Sequence, residues 1–553
     1  MVSAGVMVSA QRPLRPLTWF VAALVVVVQG VASSEPLFVD VGESSGLIIR
    51  HDNGMQGQFW LLEVIGAGGG LLDYDDDGRL DVWLVQSNGA DQLYRNVSRR
   101  SRLVFKRVDE SVLSEPADGY GVGVAVADVD NDNDMDVFLA NYGRNQLYVN
   151  DKGRFRRKES GLELDDDWSV AGSFADFDGD GLLDLYVVNY VDWSVENHKV
   201  CHDMAGRPDY CAPEVFPASA DRLYRNLGEG RFEDISDRVG LSSSARPGLG
   251  VVARDFNGDG RPDFFVANDA DDNQLWLNQN GRTLMDDALL SGVAVNGDGE
   301  AEASMGVSVS DFDRDCDLDL FMTHLAAETN TLYRSSSEGW FSDATNQFGL
   351  GVASTPFTGF GTHWIDADND GDLDVYTVNG AVSRLQEQIL AGVAFPLEQP
   401  NQLWINEGSR FTVTTDEHSA VGRGLSIGDI DNDGNVDMLV TNNSGEPRLL
   451  QNNTDGTNHW IGFRLDAPGA LIMGATVSLT SRQCVTSIAQ TDGSYASASD
   501  HRVLFGLGDD DGRQNLRVQW ADGMIEAYDS LKPDRYHVLR YGGGAKRSEG
   551  DSL

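Results

Sequence analysis

Short runs of alternating apolar and polar residues are separated by acidic turns, and the same order of runs returns along most of the chain. A glycine-rich alternating run comes first, as in Gly121-Val-Gly-Val-Ala-Val-Ala, Gly306-Val-Ser-Val-Ser and Gly359-Phe-Gly-Thr-His-Trp. An acidic turn follows. Next comes an apolar run: Val82-Trp-Leu-Val, Val137-Phe-Leu-Ala, Leu185-Tyr-Val-Val, Phe264-Phe-Val-Ala, Leu320-Phe-Met-Thr, Val375-Tyr-Thr-Val or Met438-Leu-Val-Thr. A third run shares one signature: Gln92-Leu-Tyr-Arg-Asn, Gln146-Leu-Tyr-Val-Asn, Arg222-Leu-Tyr-Arg-Asn, Gln274-Leu-Trp-Leu-Asn, Thr331-Leu-Tyr-Arg-Ser, Gln402-Leu-Trp-Ile-Asn and Arg448-Leu-Leu-Gln-Asn. A fourth run, such as Gly230-Arg-Phe-Glu-Asp-Ile, completes most units. Runs of this length with period two, bounded by Gly and Asp, predict strands.

The acidic turns begin at Asp73, Asp128, Asp176, Asp255, Asp311, Asp366 and Asp429, at intervals of 48 to 79 residues. A typical interval near 55 accommodates four short strands, which is one propeller blade. The fourth-strand pattern also precedes the first turn, as Leu37-Phe-Val-Asp-Val, and the seventh unit stops after its third strand. The N-terminal strand can therefore complete the last blade and remove the open edges. The expected fold is all-β: a seven-bladed β-propeller over residues 36–453, followed by a small β domain over 458–540 and a flexible tail over 541–553. Two long connections, Val191 to Ala220 and Ala381 to Pro400, read as decorations of one propeller face. Leu385, Ile389 and Leu390 predict a short helix in the second.

Positions 1, 3, 5 and 9 of each turn are carboxylates, with a single Asn among them. They are Asp73, Asp75, Asp77 and Asp81; Asp128, Asp130, Asp132 and Asp136; Asp176, Asp178, Asp180 and Asp184; Asp255, Asn257, Asp259 and Asp263; Asp311, Asp313, Asp315 and Asp319; Asp366, Asp368, Asp370 and Asp374; and Asp429, Asp431, Asp433 and Asp437. Oxygen ligands at alternating positions suit a hard cation with six to eight oxygens, so about seven Ca2+ sites are expected. Asp and Gly also favour plain β-turns. Against that, three or four carboxylates in one turn repel by roughly 1–4 kcal/mol per close pair. Position 6 is Gly in five turns, Asn133 in the second and Cys316 in the fifth, where distortion is expected. Position 12 is apolar, as at Leu84 and Val187, and strands flank the turn, so the pattern is not an EF-hand.

Charge and cysteines refine this picture. A formal net charge of −45 on 553 residues argues against nucleic-acid binding. Arg12 and Arg15, the apolar stretch Leu17 to Val28 and Val31-Ala32-Ser33 read as a signal peptide over residues 1–33. The apolar stretch is too short for a transmembrane segment, for which about 20 residues are needed. Of four cysteines, Cys201 and Cys211 lie ten apart in one irregular stretch and are expected to form a disulfide; Cys316 and Cys484 receive no assignment. Extracellular or periplasmic localisation follows, where calcium and disulfides persist.

The strand–turn–strand unit resembles the FG-GAP/VCBS repeat, the blade of integrin α propellers, over about Leu37 to Asn453. The resemblance implies a hairpin calcium site at the Asp positions named above. The C-terminal residues Asn458-His459-Trp460, Ile472-Met-Gly-Ala-Thr-Val, Phe505-Gly-Leu-Gly and Val518-Gln-Trp-Ala-Asp-Gly resemble the ASPIC/UnbV domain. Together with the signal peptide they are similar to the cartilage acidic protein family and its bacterial relatives, which implies extracellular calcium-dependent binding or adhesion. The partner expected is an extracellular protein or glycan.

No catalytic constellation stands out. Gly424-Leu-Ser-Ile-Gly428 fits the Gly-x-Ser-x-Gly pattern but sits in a glycine-rich strand, without the strand–turn–helix context that Ser426 would need. A polysaccharide-active enzyme or accessory domain built on the propeller is the alternative, and Trp193, His202 and Glu387 converging at the channel mouth would favour the enzyme. Asn96, Asn442 and Asn452 lie in Asn-x-Ser/Thr sequons.

Overall fold

The computed structural model describes residues 37–99, 102–109, 112–113, 119–164, 166–336, 339–454, 456–482 and 484–547. The expected signal peptide and the end of the expected tail lie outside them. From Leu37 onward the chain is one compact unit.

Alternating runs with one face toward each neighbour form antiparallel sheets that stack face to face. The first comprises Gly69–Leu72, Asp81–Leu84, Gln92–Asn96 and Phe105–Arg107; the second comprises Tyr120–Ala127, Asp136–Tyr142, Gln146–Asn150 and Phe155–Lys158. Five more four-stranded sheets follow, whose inner strands are Ser169–Ala175, Gly248–Arg254, Val307–Ser310, Gly359–Ile365 and Gly422–Gly428. Successive inner strands are neighbours, and the last lies beside the first, so the ring closes into a β-propeller. Phe38–Asp40 pairs with Arg448–Asn452 and supplies the outer strand of the seventh sheet. Aromatic and aliphatic side chains fill the gaps between sheets, as Trp83, Tyr148 and Phe155 do between the first two and the stacked Tyr186 and Phe264 (centroids 4.7 Å apart) between the third and fourth.

The inner strands are glycine-rich because they crowd the axis. A Cβ at Gly123 would overlap the Val170 carbonyl oxygen, and one at Gly306 would overlap that of Phe360.

Beyond the ring, His459–Asp466, Val503–Gly508 and Tyr536–Arg540 form one sheet. Thr476–Leu479, Val485–Ile488, Gln514–Gln519, Ile525–Leu531 and Ala545–Arg547 form another. Ile461, Phe463, Val477, Leu516, Val518 and Trp520 are buried between them. Two expectations need correction here. Residues 545–547, expected in a flexible tail, pair with Ile525–Ala527. The C-terminal part also does not stand apart from the propeller. Its residues 490–500 run into the ring as a spike that bonds the inner strand of every sheet. Ser497–Ala498 pairs with Gly69–Gly70, and the Ala496 carbonyl accepts from Val124 N–H (3.2 Å). Asp492 accepts from Ser173 Oγ (2.6 Å) and Ala253 N–H (2.8 Å). Ser494 and Val307 exchange backbone bonds, Thr362 N–H donates to Ser494 Oγ (3.2 Å), and Ile427 N–H donates to Ser499 Oγ (3.1 Å). At the tip Tyr495 is fully buried, with its hydroxyl on the Ile65 carbonyl (2.9 Å). Arg254 and Asp492 form a buried ion pair at 2.8 Å.

Both long connections join the second and third strands of their sheets, so antiparallel geometry places them at the end opposite the acidic turns. The ribbon Cys201–His202/Pro208–Asp209, the Cys201–Cys211 disulfide (Cα atoms 5.2 Å apart) and the helix Gln386–Ala391 form one crest. Arg384 links them, with its guanidinium 3.6 Å from Asp209 and 4.8 Å from the Phe59 ring centroid.

Candidate metal centres

Each acidic turn connects an inner strand to the next strand outward and is shaped by its own carboxylates. In six turns the position 1 carboxylate accepts from the backbone N–H groups of positions 5 and 6: Asp77 and Gly78 donate to Asp73 (3.0 and 2.8 Å), and Asp433 and Gly434 donate to Asp429 (3.0 and 2.9 Å); in the sixth, Gly371 donates to Asp366 (3.0 Å) while Asp370 donates to Asp368 (3.2 Å). Position 5 accepts from the N–H of position 7, as Asp132 does from Asp134 (3.0 Å). Position 9 is buried and clasps the turn from below. Asp184 accepts from Phe177 N–H (3.0 Å) on one oxygen and from Asn226 N–H (2.8 Å) on the other; the same pair of bonds recurs at Asp81, Asp136, Asp263, Asp319, Asp374 and Asp437. Both oxygens therefore have a shaping role beside any ligand role.

Residues at positions 4 and 6 adopt positive φ. Position 4 is Asp76, Asn131, Gly179, Gly258, Arg314, Asn369 or Asn432, and Cys316 at position 6 has φ 78° against 80° for Gly78. The fifth turn is thus not distorted. Cys316 N–H donates to Asp311 at 3.0 Å as glycine does elsewhere, and Cys316 is joined to Cys484 of the C-terminal sheets, with Cα atoms 4.9 Å apart.

Several of these clusters could hold a metal ion. In Asp73/Asp75/Asp81, Asp128/Asp130/Asp136, Asp176/Asp178/Asp184, Asp311/Asp313/Asp315 and Asp366/Asp368/Asp370, one oxygen from each residue lies within 4.8 Å of the others. Oxygens on opposite sides of a Ca2+ ion are separated by about that much, given bonds of roughly 2.3–2.6 Å. The donor chemistry is oxygen only. Six turns also hold a buried carboxylate oxygen with no hydrogen-bond partner: Oδ1 of Asp75, Asp130, Asp178, Asp313 and Asp431 at position 3, and Oδ1 of Asp366 at position 1. A buried anionic oxygen without a donor is costly, and a cation between these groups removes that cost. In the fourth turn Asn257 Oδ1 accepts from Asp259 N–H (3.0 Å) instead. Burial raises the carboxyls of positions 1 and 9, pushing Asp73 up to about 6 and Asp81 and Asp184 each to about 8.

Two contributions went unread in the sequence. The asparagine ending the third strand stitches neighbouring sheets: Asn226 Nδ2 donates to the Leu183 carbonyl (2.9 Å) and to Val129 of the preceding turn (2.8 Å). Asn96, Asn150, Asn278 and Asn452 do likewise. Sequon residues Asn96, Asn442 and Asn452 are buried and so unfit as glycan acceptors in the folded chain. The C-terminal sheets also lie directly on several acidic turns. Tyr536 Oη donates to Asp429 (3.0 Å), Arg464 pairs with Asp76 (3.0 Å), Asn458 Nδ2 donates to the Asp368 carbonyl (2.9 Å), and a Cβ at Gly434 would overlap Trp460.

Ser426 lies within an inner strand and donates to the Gly69 carbonyl (3.0 Å). Trp193 is buried among Trp60, Tyr142 and Trp168, whereas His202 and Glu387 are exposed, so the three do not converge. A cavity of about 200 Å3 between the ring and the C-terminal sheets is lined by Arg254, His363, Asp429, Ser499 and Arg502. His363 Nε2 is 2.9 Å from Ser499 Oγ, and burial lowers its pKa to about 4. Its other nitrogen faces Ser308 Oγ at 3.5 Å rather than an orienting carboxylate.

Among the described residues no helix is long and apolar enough to cross a membrane. Cartilage acidic protein 1 of Xenopus tropicalis is 24% identical over 90% of this chain and 75% of its own length, and that of Homo sapiens is 24% identical over 97% and 79%. Among solved structures, an Agrocybe aegerita lectin that recognises non-reducing terminal N-acetylglucosamine aligns with a TM-score of 0.39 and 15% identity, covering 64% of this chain and 80% of the lectin. The WD40 β-propeller domain of Doa1 aligns at 0.36 and 12%, covering 70% and 96%. A family model for ASPIC and UnbV matches residues 468–546. The FG-GAP-like repeat model matches 73–139, 128–187, 205–266, 255–322 and 311–377, more than half of the sequence, and the chain belongs to that family.

Proposed function

We propose that this chain is a secreted, calcium-loaded binding module that presents its crest face to an extracellular protein or glycan. The observation that carries this reading is the spike. Residues 490–500 fill the channel, and the C-terminal sheets occupy the face of the acidic turns. Among the described residues the crest face is not covered by the C-terminal sheets, and it exposes Val195, Val200, Met204 and Leu390 around a disulfide-braced ribbon. Loops held on a rigid scaffold are the usual place for recognition. Calcium is the cation favoured by the oxygen-only donors and their spacing. In this role it would be held by carboxylates at positions 1 and 3, joined by position 9 in the first three turns and by position 5 in the fifth and sixth, and would neutralise turns that otherwise repel themselves. Secretion accords with the two disulfides and the extracellular reading of the N-terminal residues.

The test is a glycan-array and protein-ligand screen in calcium and in EDTA, repeated with Met204→Asp/Leu390→Asp. Binding that needs calcium and is lost in the crest variant supports the reading. Turnover of a polysaccharide, or binding indifferent to the crest substitutions, refutes it.

A further inference from the structure

The residue just before the third-strand asparagine, or before Ser335 in the fifth unit, differs between turns, and its identity divides the turns into classes. In the first, third and fifth it is arginine. Arg95 lies 2.6 Å from Asp75 Oδ2 and 2.9 Å from Asp77 Oδ2. Arg225 lies 2.6 Å from Asp178 Oδ2 and 2.8 Å from Asp180 Oδ2. Arg334 contacts Asp313 Oδ2 and lies 2.9 Å from Asp315 Oδ2. In the seventh the same place is held by uncharged Gln451, whose Nε2 donates to Asp431 Oδ2 at 2.7 Å. In the second, fourth and sixth it is apolar: Val149, Leu277 and Ile405. The fourth turn nonetheless carries an arginine at position 7, Arg261, on Asp259 at position 5, as the first carries Arg79 on Asp77.

We propose that Arg95, Arg225 and Arg334 are resident counter-cations that make the first, third and fifth turns weak, exchangeable calcium sites, leaving the tight sites among the second, sixth and seventh turns. The inference rests on the calcium reading above. In each arginine turn the guanidinium engages Oδ2 of position 3, while Oδ1 of the same carboxylate is buried and without a donor. The arginine and the metal would share one carboxylate from opposite sides. The fixed positive charge withdraws electron density from the ligand oxygens and repels the incoming cation, but it also neutralises the turn when the cation leaves. Charges this close, partly screened by solvent, weaken binding by on the order of tenfold per site. Gln451 makes the same contact to position 3 without the charge, so geometry alone does not set the class.

The experiment is calorimetric titration of chelator-stripped full chain with Ca2+, with melting recorded in EDTA. Wild type is expected to give two affinity classes. In Arg95→Val/Arg225→Val/Arg334→Val the weak class tightens by on the order of tenfold, and the metal-free melting temperature falls. The converse variant Gln451→Arg guards against misfolding of the triple variant, and it should convert one tight site into a weak one. Calcium uptake with isotherms unaltered by either set of substitutions overturns this inference alone. Absence of calcium uptake by wild type overturns the calcium reading and this inference with it.

Discussion

Asp492→Ala should be among the most damaging single substitutions, although Asp492 lies in neither a repeat nor an acidic turn. Its side chain is 3% exposed and accepts from Arg254 Nη1, Ser173 Oγ and Ala253 N–H at 2.6–2.8 Å. Removing it leaves the Arg254 guanidinium, 7% exposed, without its counter-charge. Stranding one partner of a buried pair costs about 3–5 kcal/mol, and the orphaned Ala253 N–H adds about 1 kcal/mol. A loss of about 4–6 kcal/mol is expected, read as a lower urea midpoint by tryptophan fluorescence. Arg254→Met/Asp492→Leu removes both charges and should lose only about 1–3 kcal/mol, the cost of the unpaired N–H and hydroxyl. Exposed Asp534→Ala, which removes the partner of His459, should stay within about 1 kcal/mol of wild type. If Asp492→Ala matched wild type, or if the double variant were as unstable as the single, the spike would not be anchored by this pair.

Asn226→Ala should cost about 2–4 kcal/mol, because the buried Val129 and Leu183 carbonyls lose their donor; Ser335→Ala, whose hydroxyl has no partner, should be neutral, and equal urea midpoints for the two would discount the stitching role. Stability of the metal-free chain should fall as pH rises. Burial raises Asp81, Asp184 and Asp319 each to about 8, against about 3.9 when unfolded. The native state therefore holds these protons more tightly, and the stabilisation is complete below about pH 4 and lost on the way to pH 8. The drop in melting temperature caused by EDTA should then be larger at pH 8 than at pH 5.5, and an equal drop at both would contradict this origin.

Features set by local pattern were legible in the sequence. Asp-x-Asp-x-Asp and the alternating runs flanking it follow from a turn and the pleat of a strand, so the strands, the turn positions and the closing role of Phe38–Asp40 could all be read. The spike could not be. Thr491 bonds Val126, 365 positions away, and no periodicity marks such a partner. The Cys316–Cys484 disulfide escaped for the same reason, its ends being 168 positions apart. Positions 4 and 6 share a left-handed backbone, but only position 6 was read as a glycine site, because Asp76, Asn131 and Arg314 satisfy position 4 without glycine. The third-strand asparagine was visible as a repeated letter, and its reach into the neighbouring turn needed coordinates.

Cation content decides whether the acidic turns are calcium sites. The full chain, purified without chelator and passed through metal-free gel filtration, would be assayed for calcium by elemental mass spectrometry and melted with and without EDTA. Several calcium ions per chain, approaching one per acidic turn, are expected, with a melting temperature lowered by many degrees on chelation. Less than one ion per chain together with an unchanged melt would contradict calcium binding at these turns.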